Sequence, residues 1–90
     1  MTTEERKAED ARFRQEYPLF AQYPELIYLD NAATTQKPSC VIQAESAFYE
    51  KYNANPLRGV YELAEFATEH YEEARAAVAE LLHANTDEIV

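Results

Sequence analysis

The stretch "LIYLDNAATTQKP", Leu26–Pro38, decides how the rest of the chain is read. Leu26 to Leu29 is a short continuous apolar run of the kind a buried strand shows, and Asp30-Asn31 ends it with residues that favour turns. Ala32, Ala33, Thr34 and Thr35 come next without a bulky side chain among them, and Pro38 is suited to the first turn of a helix. A strand, a small-residue connection and a helix in that order make the opening of an α/β unit. The loop beyond a strand's carboxyl end is where such proteins place ligands. Two readings of the connection stay open. The small residues can leave backbone N–H groups and hydroxyls accessible to an anion. Alternatively, Asn31 makes a tight turn and the threonines satisfy backbone groups on the way into the helix.

Working outward, Thr2 or Thr3 caps a helix that runs to about Glu16, with Glu4 and Glu5 at the positive end of its dipole. Pro18 and Pro24 punctuate the residues between that helix and the apolar run. Beyond the connection, Val41, Ala44, Phe48 and Tyr52 form one apolar stripe and predict a helix over Pro38–Tyr52. Asn53 to Gly59 holds the only glycine, a proline and two asparagines, and reads as an irregular loop. Leu63, Phe66, Ala67, Tyr71, Ala74, Val78 and Leu82 keep a helical period from about Tyr61. Within it, Glu72 is the acid best spaced to pair with Arg75. "NTDEIV" then turns and starts a strand.

Two strands, one of about four residues and one beginning near Val90, are too few for a self-supporting sheet. The expectation is an α/β class with mostly helices and two short strands, in a single incomplete segment spanning 1–90 whose main domain starts near residue 18. The layout is expected to be the N-terminal piece of a larger protein. At 90 residues the chain buries roughly 60–65% of its unfolded surface. A composition of 47% hydrophobic and 28% charged residues is that of a globular protein. Eight Lys and Arg against 17 Asp and Glu, net −9, argue against nucleic acid or anionic lipid as a partner, because a phosphate footprint needs clustered cations. The first 17 residues hold no apolar signal core, and no window is long enough to span a membrane, so a cytoplasmic location is expected. One cysteine, Cys40, excludes an internal disulfide and a multi-cysteine metal site.

"IYLDNAATTQKP", succeeded in order and spacing by "YNAN", "RGVY", "AT" and "YEEAR", resembles the start of the class V aminotransferase family, and within it the Suf-type cysteine desulfurases. The resemblance covers about Pro18 to Val90. It implies a homodimeric pyridoxal 5'-phosphate enzyme of fold type I, several times longer than this chain. Its activity removes sulfur from L-cysteine, leaving L-alanine and a protein persulfide that a sulfur-acceptor protein takes on for iron–sulfur cluster assembly. The resemblance also implies that the lysine holding the cofactor and the nucleophilic cysteine lie beyond these residues. The segment itself is then inactive, with no catalytic and no metal-binding residue of its own.

By the same resemblance, Asn31, Ala32, Ala33 and Thr34 match a loop at the substrate entrance, with Ala32 and Ala33 acting through their main chain. Arg58 and Gly59 match a pair near the active site and dimer interface. Arg58 there meets a phosphate or carboxylate through its planar fork, or makes an ion pair across the dimer. The chain departs from the pattern at Leu57 and Tyr61, where Suf-type members commonly carry histidines; only Tyr61 keeps a polar group. Cys40, beside Val41 and Ile42, reads as a small buried hydrophobe rather than a nucleophile. Lys37 reads as a loop side chain, and His70 and His83 as surface or helix-end residues. Two readings stand beside the desulfurase: a selenocysteine lyase or other class V aminotransferase, and a small acidic helical interaction module.

Overall fold

A computed structural model describes residues 1–57 and 61–90. In order come α1 (Thr3–Gln15), α2 (Pro18–Gln22), α3 (Ser39–Lys51), α4 (Glu62–Leu82) and a 3-10 turn, Thr86–Glu88. The chain divides into two compact units, Met1–Ser46 and Ala47–Val90, the division falling within α3.

In the first unit α1 starts with a reciprocal cap. The Thr2 hydroxyl accepts from the Glu5 N–H at 3.0 Å while the Glu5 carboxylate accepts from the Thr2 N–H at 2.9 Å. Pro18 opens α2 at its first position, where a missing N–H costs nothing. The sequence pattern marks Pro18 only as a break, since five residues are too few to show a period. Phe13, Tyr17 and Phe20 join the two helices: Phe13 meets Tyr17 edge to face at a centroid distance of 5.3 Å, and Tyr17 meets Phe20 at a tilt at 5.8 Å. The Ser39 N–H donates to the Glu16 carbonyl at 2.8 Å, tying the start of α3 to the end of α1.

In the second unit α4 supplies the only buried apolar residues among those described, Ala64, Ala67 and Ala79. Tyr52 and Phe66 stack with centroids 4.4 Å apart. His83 closes α4 in the left-handed conformation, φ 54°, its N–H donating to the Glu80 carbonyl while the Ala84 N–H reaches Ala79. Arg75 then fixes the segment beyond. Its guanidinium donates to the Ile89 carbonyl at 2.6 and 3.0 Å and to the Thr86 carbonyl at 2.8 Å, and it pairs with Glu72 at 2.6 Å as the spacing predicts.

The two expected strands are not formed among the described residues. Leu26–Leu29 is irregular chain, with Ile27 79% and Leu29 90% exposed. "NTDEIV" winds a 3-10 turn before Ile89 turns extended, at φ −102° and ψ 127°. The physical reason is pairing: a strand needs a neighbour for its N–H and C=O groups, and none of the described residues supplies one. Cys40, expected to be buried, is exposed in the first turn of α3 for the same want of a covering layer.

Candidate functional site

Asn31, Ala32, Ala33 and Thr34 form one tight turn, closed by the Asp30 carbonyl, which accepts from both the Ala33 and the Thr34 N–H at 3.1 Å. The side chains on its flanks point their hydrogen bonds inward. Asn31 Oδ1 accepts from the Gln36 N–H at 3.2 Å, and the Thr35 hydroxyl donates to the Asn31 carbonyl at 3.0 Å. Asn31 and Thr35 satisfy backbone groups on the way into the helix, as the tight-turn reading expects, while the alanines stay exposed. Two of the four N–H groups are consumed by the turn itself. Among the described residues, no acceptor lies against the N–H of Asn31 or Ala32.

Two side chains missed by sequence reasoning brace this region, one on the turn itself and one on the run before it. Tyr28, inside the apolar run, donates its hydroxyl to the Thr34 carbonyl at 2.5 Å. Arg14, from the last turn of α1, donates to the Leu26 carbonyl at 2.8 Å and lies over the Phe20 ring at 4.4 Å. No periodicity flags such contacts, since one joins residues six apart through irregular chain and the other twelve apart. A recess of about 260 Å³ separates the aromatic cluster of Phe13, Tyr17 and Phe20 from Asn31 and Thr35. The aromatic residues thus face the flank of the turn that carries Asn31 and Thr35 across this recess.

Arg58 and Gly59 lie outside the described residues. Leu57 just before them sits at φ 71°, a left-handed backbone that a branched apolar residue adopts at a cost. Its N–H donates to the Thr68 hydroxyl at 2.7 Å, and Thr68 in turn donates to the Ala64 carbonyl at 2.8 Å, an anchor onto α4. Lys37 curls back to the Thr35 carbonyl at 2.7 Å, as a loop side chain would. His70 lies against Phe66 and 3.4 Å from Glu73, on an exposed face of α4. Among the described residues no helix is long and apolar enough to cross a membrane, and no cluster of His, Cys, Asp and Glu is arranged to hold a metal.

Comparison with known proteins puts this geometry in context. The chain is 58% identical over 66 residues to a probable cysteine desulfurase of Streptomyces coelicolor, a match covering 72% of the chain and 16% of that protein. It is 47% identical over 70 residues to the cysteine desulfurase SufS of Plasmodium falciparum, covering 78% of the chain and 13% of that protein. The apo structure of a cysteine desulfurase from Thermococcus onnurineus superposes with a TM-score of 0.77 at 44% identity, over 91% of the chain and 19% of that structure. The chain therefore spans less than a fifth of the length of each. The expected α/β class and fold type I stand by that likeness, although the described residues contribute helices only. The model of the aminotransferase class-V family matches residues 27–90, from the apolar run through the turn, α3 and α4, so the chain belongs to that family.

Proposed function

We propose that these ninety residues are the opening segment of a pyridoxal 5'-phosphate-dependent cysteine desulfurase, and that the turn at Asn31–Thr34 lines the pocket for the amino-acid substrate. The observation that carries this is the turn itself: a small-residue loop, held from behind, in a chain whose backbone resembles that of a cysteine desulfurase. An N–H at Asn31 and at Ala32 without an acceptor among the described residues, with no side chain beyond Cβ at Ala32 and Ala33, suits the approach of a carboxylate or carbonyl oxygen. The proposed domain begins near residue 18, with α1 packed before it.

The residues present do not by themselves form a cradle for the cofactor. Lys7, Lys37 and Lys51 are all exposed, Lys37 is spent on the Thr35 carbonyl, and Lys7 lies 3.9 Å from Glu4. A lysine that bonds a carbonyl carbon is held in an enclosed pocket against its partner, and none of these three is buried. These residues therefore serve the substrate side of the pocket, and the cofactor belongs with the remainder of the protein. L-cysteine as substrate, a sulfur-acceptor protein, a homodimer in which Arg58 and Gly59 approach the interface, and a cytoplasmic setting form part of the same proposal.

The test uses the intact protein that carries this segment, loaded with pyridoxal phosphate and given L-cysteine and a thiol reductant. Alanine and sulfide should appear in equal amounts, and the ninety residues alone should release neither. Alanine from selenocysteine but none from cysteine would overturn the proposal in favour of a selenocysteine lyase.

A further inference from the structure

We propose that Tyr28 is a positioning residue for substrate binding: its hydroxyl fixes the turn whose exposed main chain meets the amino acid. The inference rests on the reading that this turn lines the substrate pocket. The turn is closed at its base by the Asp30 carbonyl, which takes the N–H groups of Ala33 and Thr34. Its far end is held separately, because the Thr34 carbonyl accepts from Tyr28 at 2.5 Å. A phenol has one proton to give. The Asp30 carbonyl at 3.4 Å is the weaker alternative, so the short bond to Thr34 takes it.

The ring is fixed in turn. It is half-buried and meets Phe20 edge to face at a centroid distance of 6.3 Å, while Phe20 is held by Tyr17 and by the guanidinium of Arg14. Arg14 also grips the Leu26 carbonyl, two residues before Tyr28. The hydroxyl therefore stands on a braced support, and its bond to Thr34 attaches the turn to that support, while the bonds of Asn31 and Thr35 stay within residues 31–36. Losing the hydroxyl leaves the fold in place and lets the N–H groups of Asn31 and Ala32 wander. Groups that have lost their preset orientation bind with a larger ordering cost, which appears in affinity.

The experiment compares Tyr28→Phe with Ala32→Leu in the intact, cofactor-loaded protein, monitoring alanine release from cysteine. Phenylalanine keeps the contact with Phe20 and removes only the hydrogen bond. Tyr28→Phe should raise KM about five- to tenfold with kcat within about twofold of the parent, the signature of lost binding rather than of lost chemistry. Amide exchange at Ala33 and Thr34 should quicken in the same variant. A fall in kcat at unchanged KM, or unaltered exchange at those amides, would overturn the proposal by reducing Tyr28 to a structural role. If Ala32→Leu raises KM and Tyr28→Phe does not, the positioning role fails while the pocket assignment stands. If neither changes KM, the pocket assignment fails and the role of Tyr28 fails with it.

Discussion

Arg75→Ala should loosen the segment from Thr86 to Val90, the largest local stability effect expected in the chain. The guanidinium makes three contacts to the Ile89 and Thr86 carbonyls and one to Glu72, all between 2.6 and 3.0 Å. Bonds from a charged donor contribute more than neutral ones, and alanine leaves the part-buried Ile89 carbonyl without its charged donor. Because the side chain is 23% exposed and Glu72 44% exposed, the ion pair adds little and the two carbonyls dominate. Local opening should become easier by about 2 kcal/mol, roughly a thirtyfold rise in amide exchange at Glu88 and Ile89. Those two N–H groups are the ones that close the 3-10 turn, donating to Asn85 and Thr86. Arg75→Lys should fall between, since a lysine keeps the charge but cannot span both carbonyls with a planar fork. Exchange unchanged in Arg75→Ala would show that the 3-10 turn and the extended backbone at Ile89 hold without it.

Ala32→Leu should lower kcat/KM of the intact protein more than any other single change in this segment. Ala32 is exposed in this chain and its N–H has no acceptor among the described residues, so a longer side chain does not disturb the turn's own bonds. The added atoms instead occupy the space assigned to the substrate. Overfilling a packed site costs about 1–3 kcal/mol. That converts to a loss of about 5- to 150-fold, carried mainly in KM. The folded content, measured by circular dichroism, should match the parent. Kinetics unchanged by a leucine here would mean that the turn faces away from the amino acid.

The helices were legible because their signals are local. Thr2 with Glu5, Pro38, the stripe on α3 and the period of α4 each act within a few residues, and α1, α3 and α4 formed within a residue or two of their expected bounds. The pairing of Glu72 with Arg75 was legible for the same reason. Leu26–Leu29 and Ile89 were not, because an apolar run becomes a strand only against a neighbour, and such runs keep their strand-like composition when the neighbour lies outside the chain. At the candidate site, the small residues from Asn31 to Thr34 stood out by composition. Which of their N–H groups stay free did not, since that depends on the Asp30 carbonyl folding over the turn. Tyr28 and Arg14 were missed because their partners are carbonyls, which carry no residue identity for a pattern to detect.

The most direct measurement is a structure of the intact, cofactor-loaded protein with bound L-cysteine or an unreactive analogue. The N–H of Asn31 or Ala32 should stand within about 3 Å of an oxygen of the bound amino acid, with Tyr28 still bonded to the Thr34 carbonyl. An amino acid seated more than about 10 Å from Ala32 and Ala33, beyond reach of a direct or single-water contact, would contradict the assignment of this turn to the substrate pocket.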